Sequence, residues 1–426
     1  MKSRMLTFLT AMTLLALLAI PVRLASAQVR YTVTDLGTLG GTFSQPNSIS
    51  NGGEVVGVAN LPGDTVTHGF FWQNGTMTDL GTLGGPISVA AGINESGEVV
   101  VGADTSQFGG LQNTICATSA ICRMFIWRNG LKIPDLGTLP GGTDTGIYTI
   151  LSFNFATSLI NNNHQAAGTG DVAFVDPNNP SFAISHAFLW RKGVITDLGT
   201  LGGNNAEADA INDPGEVIGE SETTTIPDPD LGFPPNHAFL WHEGMMTDLL
   251  TLGGKLSWAG GLNNRGQVAG VSTLVGDLNF HSFLWENGVL TDLGTFPGDE
   301  ESVGSGIDNQ GHVVGTSGSP IQPIRATLWE NGIVIDLNSQ IPGNSGWQLI
   351  WAAGINARGQ ITGYGIHNNE THAFLLTPSN AQTDDLAQSA TSSTEASDTG
   401  ASRVGLPENL GHRSRWWWGQ MRSRQK

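Results

Sequence analysis

One stretch constrains this chain more than any other, because the chain keeps rewriting it. It is clearest across residues 208–254, ADAINDPGEVIGESETTTIPDPDLGFPPNHAFLWHEGMMTDLLTLGG. Four short apolar runs lie in it. ADAIN and EVIGE are joined by Asp213-Pro214-Gly215, and HAFLW and MMTDL by Glu243-Gly244. A glycine-bearing turn between two such runs signals a hairpin, so the unit predicts four antiparallel strands. A repeated supersecondary unit decides the architecture before any local reading does.

The first turn is tracked by an isoleucine or leucine and a glycine four residues on: Ile49/Gly53, Ile93/Gly97, Ile211/Gly215, Leu262/Gly266, Ile307/Gly311 and Ile355/Gly359. A seventh copy starts at Ile160 with His164 in the glycine's place, and histidine is among the residues that tolerate positive φ. The second strand then ends in Gly57, Gly102, Gly168, Gly219, Gly270, Gly315 or Gly363. Unit two carries one extra residue there, Glu98-Val-Val-Val-Gly102, which predicts a β-bulge. The second hairpin is marked by Trp72, Trp127, Trp190, Trp241, Trp285 and Trp329, and an Asp-Leu closes each unit at Asp35, Asp79, Asp135, Asp197, Asp248, Asp292 and Asp336.

The phase of this repeat carries the fold. The chain enters on an orphan fourth strand, Thr32–Gly37, and leaves on an orphan third strand, His372–Leu376. Joined, they complete a seventh unit, as a closed ring requires and an open solenoid does not. The expectation is an all-β, seven-bladed β-propeller of four-stranded antiparallel blades, with the N- and C-terminal strands sharing one blade.

Outside residues 28–378 the composition changes. Residues 1–27 read as a signal peptide: Lys2 and Arg4, an apolar run from Met5 to Ile20, then Ala25-Ser26-Ala27 as the cleavage site. The apolar run is short for a membrane span. Residues 379–426 are rich in Ala, Ser, Thr, Asp and Gln, and read as a disordered tail ending in a basic, Trp-rich cluster around Trp416–Trp418. With 37 acidic against 19 basic residues the net charge is −18, which argues against nucleic acid and anionic surfaces as partners. The two cysteines, Cys116 and Cys122, fall in one insertion. In an oxidising compartment they are expected to pair.

The third strand reads His-Ala-Phe-Leu-Trp at 186–190 and 237–241, and His-Ser-Phe-Leu-Trp at 281–285. Asp-Leu-Gly-Thr-Leu-Gly-Gly recurs at 35–41, 79–85 and 197–203. These motifs resemble the extracellular HAF-repeat family, over nearly all of Tyr31–Pro378. The resemblance implies export and a repeat architecture, with no assigned chemistry. Strand order and glycine placement are also similar to kelch repeats. Unit six departs, with Ala326-Thr-Leu-Trp329 and no histidine, and unit seven lacks the tryptophan.

A residue found at one place in every unit is explained by the unit. The seven aspartates are expected to cap their own turns, and His68, His186, His237, His281 and His372 to be too far apart around a ring for a metal cluster. Neither metal nor cofactor is called for, calcium being the one ion an acidic rim would suit. No Gly-x-Ser-x-Gly elbow, His-Glu-x-x-His or Walker loop is present.

Four residues before the Ile/Leu marker, by contrast, the residue varies: Gln45, Val89, Ala156, Glu207, Trp258, Val303 and Trp351. That position starts the innermost strand, beside the face that carries the long insertions and Asp171, Asp228, Asp230, Asp299, Glu300, Glu301 and Trp347. The candidate ligand-binding residues are therefore Gln45, Glu207, Trp258, Trp347 and Trp351. The reading is a secreted or periplasmic, monomeric binding protein, its partner a carbohydrate or a protein at the cell envelope. The alternatives are a glycoside hydrolase or lyase using channel-mouth carboxylates, and a structural or adhesive surface protein.

Overall fold

Seven four-stranded antiparallel sheets stand around a central channel, and six of them run from an innermost to an outermost strand in chain order. The computed structural model describes residues 31–108, 120–133, 135–146, 158–180, 182–319 and 322–379. The stretch expected to be a leader, most of the expected tail and Cys116 lie outside the described residues. Blade one comprises Ser44–Ile49, Val55–Asn60, Thr67–Gln73 and Thr76–Asp79. Blade seven comprises Trp347–Ile355, Ile361–His367 and Glu370–Pro378, and takes its outermost strand, Tyr31–Asp35, from the start of the chain. Tyr31 faces Pro378 and Asp35 faces Phe374 in that closure. The chain is a seven-bladed β-propeller.

Local sequence explains the hairpins. In the third-to-fourth-strand turns both central residues have positive φ, as at Asn74-Gly75 (50° and 81°) and Asn287-Gly288 (50° and 83°). That is the two-residue turn whose twist matches paired strands. His164 takes φ 57° in the glycine position of unit three.

The core is built from the third strands. Phe70, Phe125, Phe188, Phe239, Phe283 and Phe374 are all fully buried, each worth about 1.5–3 kcal/mol on transfer from water. Opposite the phenylalanine stands the second-strand glycine, as in Gly219↔Phe239 and Gly270↔Phe283. A Cβ on Gly219 would lie 1.8 Å from the Glu207 carbonyl oxygen and one on Gly315 would lie 1.9 Å from that of Val303. The innermost strand crosses so closely that only glycine fits in these blades.

That close crossing comes from a bulge in the innermost strand. Register slips between Pro46 and Ser48, Ala90 and Gly92, Ala208 and Ala210, Ala259 and Gly261, Gly304 and Gly306, and Ala352 and Gly354. The bulge expected within Glu98–Gly102 is absent. The second and third strands of blade two pair without a break from Val99↔Trp127 to Asp104↔Cys122, and Val101 replaces the glycine opposite Phe125. The extra residue lengthens that strand instead of kinking it.

Candidate functional site

Two faces of the ring differ in construction. One carries the two-residue turns and the turns that follow each innermost strand, and is called the turn face here. The other carries the long second-to-third-strand connections.

On the long-loop face every blade repeats one clasp. Each closing aspartate accepts the backbone N–H two residues on, from Gly37, Gly81, Gly137, Gly199, Leu250, Gly294 or Asn338, at 2.7–3.0 Å. In five blades a third-strand histidine pairs with that carboxylate through Nδ1 at 2.9 Å: His68–Asp79, His186–Asp197, His237–Asp248, His281–Asp292 and His372–Asp35. Blades two and six use arginine at the same position, Arg123 to Asp135 at 3.5 Å and Arg325 to Asp336 at 3.4 Å. The aspartates thus cap their turns as expected and each also receives a histidine or arginine nitrogen. Burial tends to raise the carboxyls of Asp197 and Asp248, but the bonds from His186 and His237 and from the turn amides outweigh it and hold both below the usual range.

The variable residues at the start of the innermost strands split into several environments. Trp258 is 7 % exposed and packs in an apolar cluster with Leu256, Val271, Phe280 and Val303. Trp351, half-buried, packs against the same cluster, so blades five, six and seven meet there; its ring also stacks on Tyr364, with centroids 6.4 Å apart. Gln45 is buried. Trp347 lies away from them, stacked on His367 at 4.6 Å and edge-on to Phe374. Ala156 falls outside the described residues. Glu207, half-buried, joins the buried Asp209 and Glu220 in an acidic group of blade four. Burial pushes all three carboxyls up, and charge from Glu220 adds to that at Glu207 and Asp209.

The acids expected on the rim are mostly structural. Asp171 is buried and accepts bonds from Thr143 N–H (2.7 Å) and Thr143 Oγ1 (3.0 Å). The Asp299 carboxylate, 1 % exposed, pairs with Arg325 at 3.2 Å and accepts from Ser317 Oγ at 2.9 Å. Glu301 is buried. Asp228 and Asp230 share Lys255 at 2.8 and 2.7 Å.

A cavity of about 190 Å³ opens at the other end of the innermost strands, on the turn face. It is lined by turn residues of all seven blades, foremost Asn51, Glu95, Asn162, Asp213, Asn264 and Asn309. Two rings of hydrogen bonds hold it. In the first, an asparagine Nδ2 donates to a carbonyl of the next blade: Asn94 to Asn161 (3.1 Å), Asn161 to Asn212 (2.8 Å), Asn212 to Asn263 (3.0 Å), Asn263 to Asp308 (2.8 Å) and Asn356 to Ser50 (2.9 Å). In the second, the following residue's N–H donates to a side-chain oxygen of the next blade, as from Asn51 to Glu95 and from Asp213 to Asn264. Ser50 has no amide, and there Asn47 Nδ2 bonds the Ala90 carbonyl at 2.9 Å instead. Between blades six and seven both links lapse, because Asp308 cannot donate through its carboxylate and Ala357 has no side-chain oxygen. In the wall, Ser305 Oγ is buried without a hydrogen-bond partner.

These turn residues were not among the sequence candidates. The signal was present: an asparagine after the Ile/Leu marker in five units, followed by a position that varies from Asn and Asp to Glu and Ala. Among the described residues, one set of donors converges closely enough for a metal, Asp35, His367 and His372. Their ring neighbours are considered below.

No family model matches the chain, and no curated protein matches it. Similar solved structures are propellers or contain one. The β-propeller domain of the Trilobed protease from Pyrococcus furiosus, which has an open velcro topology, is 12 % identical with a TM-score of 0.43, covering 70 % of this chain and 84 % of that one. A puromycin-hydrolyzing peptidase from Mycobacterium tuberculosis (12 %, 0.47) is matched over 83 % of this chain and 52 % of its own, so this chain spans about half of that protein. TolB from Acinetobacter baumannii (12 %, 0.39) is matched over 80 % of this chain and 65 % of its own. At such identities the likeness concerns the fold alone.

Proposed function

We propose that this propeller is an exported binding module that takes a small hydroxylated ligand, carbohydrate in class, in the turn-face mouth of its channel. The carrying observation is the cavity itself, lined from seven directions by amide and carboxylate side chains. Amides offer donors and acceptors together, which suits hydroxyl groups, and a few convergent polar groups in a preformed opening are what small-ligand sites use. Ser305 Oγ in its wall adds a group in need of a partner. The sequence candidates Gln45, Glu207, Trp258 and Trp351 stand toward the opposite ends of the same strands. The N-terminal leader and the HAF-repeat resemblance support a periplasmic or extracellular place. No helix among the described residues is long and apolar enough to cross a membrane.

The test is a glycan-array and hydrolysis screen of the exported protein, with and without calcium, repeated on Ala357→Trp. Ala357 lines the mouth, is exposed and makes no side-chain bond in either ring. An indole there blocks the opening without undoing a clasp. A glycan bound equally by both proteins overturns the assignment. Turnover in the hydrolysis arm supports the glycoside hydrolase or lyase alternative, for which Glu95, Asp213 and Asp308 are the acids in the lining of the mouth.

A further inference from the structure

Blade seven differs from its sisters at one corner. Its second and third strands are joined by the two-residue turn Asn368-Asn369, with φ of 51° and 66°, where blades one to five carry longer connections. The strand before that turn ends in His367. Counting four residues on from the second-strand glycine, the corresponding positions hold Leu61, Val172, Thr223, Leu274 and Ser319. The blade does not explain His367, and the internal comparison singles it out.

Pairing puts His367 on a shared face with the repeat's own clasp. Gly365 faces His372, and Asp35 faces Phe374. His367 and Phe374 are each two residues from one of those positions, so the period of two sets His367, His372 and Asp35 side by side across three neighbouring strands. His367 Nδ1 lies 3.1 Å from Asp35 Oδ2, and His372 Nδ1 lies 2.9 Å from the same oxygen. All three ligand atoms fall within 4.8 Å of one another.

We propose that Asp35, His367 and His372 are the protein ligands of a divalent transition-metal ion, zinc in class. A tetrahedral ion with bonds of about 2.0–2.1 Å holds its ligand atoms roughly 3.3 Å apart, close to the spacing found here. Two imidazoles and one carboxylate suit a borderline ion rather than calcium, which takes six to eight oxygens. Both rings are oriented from outside. Glu370 Oε2 lies 3.2 Å from His372 Nε2. A proton on Nε2 is thereby directed to Glu370, and the Nδ1 lone pair is turned toward Asp35, the carboxylate–histidine–metal arrangement. The Trp347 indole stacks on His367 at 4.6 Å and 6°, fixing that ring. The side chains of Asp35, His367 and His372 are 32, 22 and 14 % exposed, so an ion can enter and keep a fourth position for water. The sequence argument against metal concerned histidines repeated once per blade, and His367 is not one of them.

The experiment strips the full exported chain with a chelator and titrates Zn²⁺ against a chromophoric competitor, with Ca²⁺ as the hard-ion control. Wild type should hold one Zn²⁺ per chain, and Co²⁺ in its place should show the intense bands of a tetrahedral site. His367→Ala and His367→Gln should each weaken binding by at least about 100-fold, since losing an outer-sphere partner alone costs 10–100-fold. His281→Ala, the same position as His372 in blade five, should bind as wild type. Zn²⁺ should raise the melting temperature of wild type and leave that of both His367 variants unmoved. The proposal falls if wild type holds no Zn²⁺ against the competitor, or if the His367 variants bind as tightly as wild type. In either case the trio is two imidazoles hydrogen-bonded to one carboxylate.

Discussion

Asn356 Nδ2 donates to the carbonyl oxygen of Ser50 at 2.9 Å across 306 residues of sequence. The same side chain accepts from the N–H groups of Arg358 and Gln360 through Oδ1. One amide therefore closes its own turn and fastens the last blade to the first. The strand pairing of Tyr31–Asp35 with the third strand of blade seven fastens the same junction from the rim.

Removing Tyr31–Gly37 takes the outermost strand from blade seven and exposes an unpaired edge. The truncated protein should melt at lower temperature and associate in solution. Thermal scanning with light scattering reads both, and a monomer melting like the parent would contradict the closure.

The seam between blades six and seven lacks both turn-face links. Ala357→Asn supplies a side-chain oxygen for the Asn309 N–H, as Asn51 does for Ala357. The gain expected for one hydrogen bond is about 0.5–1.5 kcal/mol in denaturant unfolding. An unchanged or lowered midpoint would show that the seam is too wide for the link.

Arg325 has two carboxylates to serve, and its guanidinium also lies 4.7 Å from the Phe296 ring centre. Arg325→Ala leaves Asp299 buried without a cation and should cost about 3–5 kcal/mol. His281→Ala breaks a clasp whose aspartate is 43 % exposed, and should cost about 0–1 kcal/mol. Equal losses would mean that the two clasps do the same job.

The lowered carboxyls of Asp197 and Asp248 make stability depend on acid. A depressed folded value contributes stability that is complete above the unfolded value of about 3.9 and fades as pH falls through the folded one. Melting temperature should therefore drop as pH is lowered below about 4. Replacing both with asparagine should flatten that part of the profile.

Trp258 occupies a core among blades five to seven. Trp258→Ala should cost about 3–5 kcal/mol, the usual penalty for emptying a buried aromatic site. A variant that melts like wild type and loses a glycan instead would return Trp258 to the binding site.

Strands, turns, blade number and ring closure were legible because the chain states them seven times over. The turn-capping role of the aspartates was legible for the same reason. Arg123 and Arg325 stand where the histidines do, yet reading them as clasps needs the distance to Asp135 and Asp336. The innermost-strand bulges leave no mark in residue spacing, so the extra valine of blade two drew the bulge to itself. Trp258 was ambiguous in principle, since variation between units does not distinguish a ligand contact from an uneven gap. His367 escaped notice because it lies outside the repeat and meets His372 only through a two-residue turn.

Each Nδ2-to-carbonyl link on the turn face points the same way around, from a blade to its successor, at every seam except that between blades six and seven. A seven-blade arc still open between its last blade and its first therefore ends in the spare Asn356 donor at one side and the spare Ser50 acceptor at the other. Those two ends fit each other equally well within one chain or between two, and a head-to-tail contact that does not close grows without limit. Finishing the circle from the chain's own first strand consumes both ends at once, so what looks like a fastening of the native ring also acts as a stop on polymerisation.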